Sequence, residues 1–328
     1  MPMPLRFMCL LIFLVTGSAT ADMSLRVING DDANLDDAPW QAAVFVDNGF
    51  ACGAVVIAPS WVATAAHCLF DRNGYPLSLS PERVKIVTKT DSVKRSVYNI
   101  PQEKVVGVER MLVHPEYTEK TFKADLAVVK LSRSVSSPAV VIADSRVQQR
   151  MESVAGDRED MSLQLTGWGS IRATGEGISN RLQKAHLSLV SDLSCATAWG
   201  TTLRDVAGYQ QAYVCTNSSR FSTCFGDSGG PLVWTDPDRV SDADRGKTLV
   251  GIVSFSAGQL CGQGVAPDVF TQASTYSGWM ENCVAGKSCD FKVASPNLNS
   301  QQVGTQNTNS SGGAWFFLPM LLLNLWRR

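Results

Sequence analysis

The sequence is poor in histidine and has no surplus of positive charge. Of 328 residues only three are His, and no C-x-x-C pair is repeated, so the donor spacing of a structural zinc site is missing. Lys and Arg number 29 against 30 Asp and Glu, a formal net charge of −1. With no basic excess to hold phosphates, nucleic acid is not an expected partner. No repeat of fixed period runs through the chain, no calcium-type loop is evident, and no cofactor or metal is implied. No apolar run reaches the roughly 20 residues that span a bilayer comfortably as a helix. What remains is ordinary globular composition, 45% hydrophobic and 18% charged, enough for one large domain or two small ones.

Two apolar runs lie at the ends. The first, Phe7 to Val15, follows Arg6 and precedes Ala19-Thr20-Ala21, the small-x-small form of a secretory cleavage site, so 1–21 is expected to be a signal peptide. Cys9 falls inside it, leaving eight cysteines: Cys52, Cys68, Cys195, Cys215, Cys224, Cys261, Cys283 and Cys289. An even count in an exported chain implies bridges, but spacing alone does not choose among roughly a hundred pairings. At the other end, 290–311 has the Asn, Gln, Ser, Thr and Gly content of a flexible linker. A Gly-Gly pair and a short apolar stretch closed by Arg327 and Arg328 then occupy 312–328.

Between the ends, runs such as AAVFV, AVVIA, RVKIV, LAVVKL, LQLTGWG, AHLSLV, PLVW and LVGIVSF are rich in Val, Ile and Leu and separated by turn residues. The pattern predicts an all-β fold, a sandwich or a pair of barrels, rather than α/β. One helix is expected, over STYSGWMENC, capped by Ser274 or Thr275.

A serine hydroxyl needs a base to take its proton, and that base needs an orienting carboxylate. Among three histidines the choice is narrow. His67 ends the apolar segment WVATAAHC; His114 lies beside a proline in a loop-like stretch, and His186 alternates along a strand as a surface residue. His67 is the candidate base. GDSGGP supplies a serine, Ser228, among glycines.

TAAHC, DLAVVKL and GDSGGP, in that order and at these separations, resemble the His, Asp and Ser motifs of the chymotrypsin/trypsin-like serine peptidases. RVING, TGWG and GIVSF resemble other landmarks of the same family. The resemblance implies two packed antiparallel β-barrels with a C-terminal helix, a peptidase domain over 27–289, and catalysis by Ser228 as nucleophile, His67 as base and Asp125 as its orienter. The N–H groups of Gly226 and Ser228 would form the oxyanion hole, and Ser254 would support Asp125. It also implies a zymogen: cutting after Arg26 removes a propeptide, 22–26, and frees Val27, whose ammonium would meet Asp227. Its disulfides would be Cys52–Cys68, Cys195–Cys215 and Cys224–Cys261, leaving Cys283 and Cys289 to each other.

Two positions depart from the family's trypsin-like members. Six residues before the nucleophile stands Ser222 where they carry aspartate, and Asp268 follows Pro267 where glycine is usual. One reading makes Asp268 a Pro-Asp turn in solvent. The other makes it a displaced specificity charge, hydrogen-bonded by Ser222 and selecting Lys or Arg before the cut bond, with Ser256 at the pocket mouth. Ser222 alone would suit a chymotrypsin-like preference for aromatic residues or Leu.

The tail resembles the GlyGly carboxy-terminal sorting signal of Gram-negative bacterial exoproteins, which implies transient membrane association, a tail-processing intramembrane protease and a secreted or cell-surface product. A lipid-anchor signal would want a polar spacer that this tail lacks. The expected partners are protein or peptide substrates and an activating protease, the enzyme itself included. An inactive binding or adhesion module is the rival from another class, and the intact triad positions weigh against it. An α/β-hydrolase esterase is a third, and the β-rich pattern weighs against that.

Overall fold

Asp47 and Asn48 both take left-handed φ, 49° and 67°, the turn that lets a two-residue loop follow the twist of a hairpin. They join β1 (Gln41–Val46) to β2 (Gly49–Ala58) at the start of a computed structural model that describes residues 30–71, 73–155, 162–172, 174, 176–217, 222–257, 261–262, 264–293 and 302–306. The expected signal peptide, the activation segment with Arg26 and Val27, and the tail 312–328 lie outside the described residues.

Four more strands, β3 (Trp61–Thr64), β4 (Val84–Thr88), β5 (Val105–Val113) and β6 (Ala127–Leu131), close the first barrel in the order β1-β2-β3-β6-β5-β4. Val44, Val56, Val62, Ile86 and Val129 fall on one face of it by register and have no solvent contact. Each such side chain contributes about 1.5–3 kcal/mol on burial, so the barrel is a stiff platform for the loops it carries.

The second half uses β7 (Leu163–Gly167), β8 (Gln183–Leu187), β9 (Tyr213–Thr216), β10 (Pro231–Thr235), β11 (Lys247–Phe255) and β12 (Asp268–Gln272). They run in the order β8-β7-β10-β11-β12-β9, with Leu189–Val190 on the far edge of β9. Leu187, Ser188 and Leu189 are consecutive, so the strip curls back to where it began, around Leu165, Leu232, Trp234, Val250 and Phe270. The all-β, two-barrel expectation holds, and each quoted Val-rich run lies in or overlaps a strand.

The C-terminal helix is present as α3 (Ala273–Val284), but the expected cap is corrected. Its N-cap is Gln272, the last residue of β12, and Ser274 and Thr275 lie within the first turn. The strand runs straight into the helix, so their hydroxyls take Gln272 Nε2 instead, at 3.0 and 3.2 Å. Four further α-helices among the described residues were not expected, two of them single turns at Thr201–Arg204 and Tyr209–Ala212. The first, α1 (Ser145–Ala155), starts where Asp144 Oδ1 accepts from the N–H groups of Arg146 and Val147 at 2.9 and 2.8 Å. The second, α2 (Asp192–Trp199), is capped by Ser191, which accepts from Ser194 N.

The expectation of an unfolded linker over 290–311 is corrected at its start. Cys289–Val293 pairs antiparallel with Gln302–Gln306. Polar composition hid the anchors that hold the first of these strands: a disulfide at Cys289, Trp279 Nε1 on Asp290 O at 2.7 Å, and Phe291 against the core. Among the described residues no helix is long and apolar enough to cross a membrane.

Candidate active site

His67 lies in a single 3₁₀ turn, Ala66–Leu69, that caps β3, and the Cys52–Cys68 bridge ties this turn to β2. Asp125 immediately precedes Leu126 and β6. The two meet directly: His67 Nδ1 is 2.8 Å from Asp125 Oδ2, and the His67 backbone N–H donates to Oδ1 at 2.9 Å. A carboxylate on Nδ1 makes that nitrogen the donor and leaves Nε2 with its lone pair outward. Burial works against the imidazolium, but the charge and hydrogen bond of Asp125 outweigh it and hold His67 above its ordinary value.

Asp125 is fully buried and belongs to neither barrel alone. Its backbone leads into β6 of the first, while Ser254 Oγ on β11 donates to Oδ2 at 2.6 Å and Thr271 Oγ1 on β12 donates to its backbone carbonyl at 2.9 Å. The serine loop crosses the same seam. Ser228 O accepts from Gly53 N at 2.8 Å, and Gly229, at φ +77°, packs so closely that an added Cβ would lie 2.1 Å from Thr64 Oγ1. Only glycine fits there. Ser228 itself is partly exposed at the seam.

Gly226 has φ +103°, a second position that a side chain would strain. Within this loop the N–H groups of Asp227, Gly229 and Gly230 are taken by Cys224 O, Val253 O and Asp227 O. Among the described residues no acceptor takes the N–H of Gly226 or Ser228, which leaves both for a ligand. Asp227 is fully buried, with Oδ1 accepting from Gly169 N at 2.8 Å and Oδ2 from Cys224 N at 3.0 Å. Desolvation outweighs those bonds and pushes it up to about 6.

Asp268 is 1% exposed, so the solvent-facing Pro-Asp turn is not what this chain forms. Its Oδ2 accepts from Thr223 N at 2.7 Å and its Oδ1 from the Ser222 hydroxyl at 3.1 Å. Burial is the dominant influence, with Asp227 adding to it, and carries Asp268 up to about 7 against the two hydrogen bonds. Ser256 is exposed just beyond the end of β11.

An aromatic wall beside His67 was not read from the sequence. Phe122 meets the imidazole edge-on at 5.9 Å and Phe255 at 5.5 Å; Phe255 in turn meets Trp199 at 5.0 Å. Trp199 Nε1 donates to Pro267 O at 2.9 Å, next to Asp268. Phe122 stands three residues before Asp125 and Phe255 directly after Ser254, which was the available signal. His67 also lines a cleft of about 660 Å³ together with Asp47, Asp71, Asn73 and Arg83.

The four bridges are Cys52–Cys68, Cys195–Cys215, Cys224–Cys261 and Cys283–Cys289, the pairing expected from the resemblance and its remainder. Cys52, His67 and Cys68 cluster, but two of those sulfurs are bonded to each other and are not free thiolates. His114 is buried with its ring 4.8 Å from both Tyr276 and Trp279, and burial holds it down at about 4, neutral and structural. His186 is exposed on β8.

A family model described as Trypsin matches residues 27–280. Kallikrein-4 of Homo sapiens is 29% identical over 280 residues, covering 85% of this chain and 95% of that protein. Chymotrypsin-like elastase family member 3B of Macaca mulatta is 30% identical over 279 residues, 82% of this chain and 97% of that one. Tissue-type plasminogen activator of Rattus norvegicus is 29% identical over 269 residues, 78% of this chain, which spans only 44% of that longer protein.

Proposed function

Because the chain belongs to the trypsin family and is a serine endopeptidase, we propose that it cuts peptide bonds after Lys or Arg by way of Ser228, His67 and Asp125. Ser228 attacks the carbonyl, His67 Nε2 takes its proton and returns it to the leaving amine, and Asp125 holds the imidazole and stabilises its cation. The N–H groups of Gly226 and Ser228 receive the oxyanion; one such donor is typically worth about 100-fold to 1,000-fold in rate. The observation that carries this reading is Asp125 with both oxygens on His67 and a third bond from Ser254.

The basic preference rests on Asp268. A buried carboxylate met, among the described residues, by the neutral donors of Ser222 and Thr223 is under-compensated, and a Lys or Arg side chain supplies the missing charge. A second reading, chymotrypsin-like cleavage after aromatic residues or Leu, gains support from the same group. When Asp268 is protonated the site is neutral and accepts an apolar ring.

The enzyme is made as a zymogen. Cleavage after Arg26 frees the Val27 ammonium to neutralise Asp227, which Gly169 and Cys224 already hold beside the oxyanion donors. Export through 1–21 is in keeping with four disulfides, which persist in oxidising compartments. The tail 312–328 gives transient membrane association before an intramembrane protease removes it, leaving a secreted or surface enzyme.

The test uses the chain cut after Arg26, with Ser228→Ala as control, on peptides differing only before the cut bond: Arg, Lys, Phe, Leu. Dominant Arg and Lys cleavage that Asp268→Gly abolishes supports the reading. Dominant Phe or Leu cleavage at neutral and alkaline pH refutes the basic preference.

A further inference from the structure

The chain continues past the family match, which ends at residue 280, into a disulfide-closed turn and the strand Cys289–Val293. That strand reaches back to the loop beside the catalytic histidine. Lys292 Nζ donates to Tyr117 O at 2.9 Å and lies 5.2 Å from the centre of the Tyr117 ring, which is itself buried against Phe70. A cation over a ring and on the same residue's carbonyl grips both its side chain and its backbone.

Tyr117 is the base of a closed loop. Thr118 N donates to Lys123 O at 3.2 Å and Phe122 N to Thr118 O at 2.8 Å, and Phe122 takes a left-handed φ of 53° that positions its ring on His67. Such a conformation costs on the order of 1–3 kcal/mol in a bulky residue and persists only where the surroundings hold it. Two external props are in place: Tyr213 OH on Thr121 O at 2.8 Å near the tip, and Lys292 at the base. Burial draws the Lys292 amine below its ordinary value while Glu119 holds it up, as a partly desolvated donor requires.

We propose that Lys292 is a positioning residue for the substrate segment that lies along the Phe122 and Phe255 wall: it braces Tyr117, and through it the loop that sets Phe122 beside His67. This rests on the peptidase reading above. Substrate that extends along the wall should feel the brace, and substrate that fills only the pocket next to the cut bond should not.

The experiment uses the chain cut after Arg26 and two substrates sharing the residue it prefers before the cut bond, one a simple amino-acid ester, the other a tetrapeptide amide. Lys292→Met should raise KM for the tetrapeptide about fivefold, the scale of one hydrogen bond, with kcat and the ester rate unchanged. Lys292→Arg, which keeps a donor and a cation, should restore it. In a Phe122→Ala background the Lys292→Met change should have no further effect, because both act through one ring. Equal loss on both substrates, no change on either, or full additivity with Phe122→Ala overturns the proposal. A wild type inert toward both substrates removes the peptidase reading and the proposal with it.

Discussion

Ser254 and His67 meet on one atom: the serine hydroxyl donates to Asp125 Oδ2 at 2.6 Å, and the imidazole Nδ1 lies 2.8 Å from that same oxygen. The oxygen that holds the imidazole is therefore itself held from the second barrel.

Removing that aim should cost rate rather than binding. Ser254→Ala is expected to lower kcat about tenfold with KM unchanged, since one hydrogen bond to a charged group is lost. Asp125→Asn should cost far more, about 10⁴-fold in kcat, because the wrong tautomer is then favoured. Steady-state kinetics on one peptide substrate reads both, and a Ser254→Ala enzyme with unchanged kcat would contradict the role given to that serine.

Specificity should depend on pH. Asp268 is pushed to about 7, so it is ionised above that value and neutral below it. The ratio of kcat/KM for an Arg substrate to that for a Phe substrate is expected to rise as pH increases through about 7. His67 titrates in both numerator and denominator and cancels from the ratio. A flat ratio from pH 5 to 9 would show that this carboxylate does not face the substrate.

The same group should tax the fold. Its folded-state value is raised above 3.8, so the folded chain holds the proton more tightly and stability falls as pH rises from about 4 to about 7. Asp268→Asn should match wild type near pH 4 and exceed it above pH 7 by up to about 4 kcal/mol. Denaturant melts at the two pH values measure this.

Glycine substitutions should diverge by position. Gly229→Ala drives a methyl into Thr64 Oγ1 at a left-handed φ and is expected to abolish activity and lower stability by several kcal/mol, on the order of a strained, overpacked site. Gly278→Ala, in α3 with nothing within 4 Å, should stabilise by about 0.5–1 kcal/mol. Thermal melts of the two variants, with activity at 25 °C, compare them directly.

Activation can be tested at the residues that precede the described structure. Arg26→Gln is expected to leave the chain uncut and at roughly one-hundredth or less of full activity, the loss of an oxyanion donor. Asp227→Asn should fail similarly even when cut after Arg26. N-terminal sequencing alongside active-site titration separates failure to be cut from failure to respond.

The sequence made His67, Asp125 and Ser228 legible because each sits in a short motif whose backbone demands are local: a turn after a strand, a carboxylate before a buried run, a serine among glycines. Ser222 and Asp268 were legible as a pair only through the resemblance, and their contact at 3.1 Å follows it. Phe122, Phe255 and Trp199 were not legible as a wall, since three separate segments bring them together and each reads alone as an ordinary apolar residue. The first helix escaped for another reason. Val147, Met151 and Ala155 recur four residues apart behind Asp144, but the intervening Gln, Arg and Glu dilute the apolar signal in a chain dominated by strands. The strand at Cys289–Val293 was hidden by its brevity and by the polar chain that follows it: Cys289 and Phe291 pack on the core, and hydrogen bonds from Trp279 to Asp290 O and from Lys292 to Tyr117 O complete its hold.

Asp125 is claimed by both halves: His67 of the first takes both its carboxylate oxygens, while Ser254 and Thr271 of the second donate to its side chain and its carbonyl. The enzyme thereby carries its own alignment gauge. A slip of one half past the other by even an ångström breaks those bonds and turns the imidazole before either core is opened to water. Heat or denaturant should silence such a molecule while both halves are still folded, and a chain whose halves have not yet docked should be inactive.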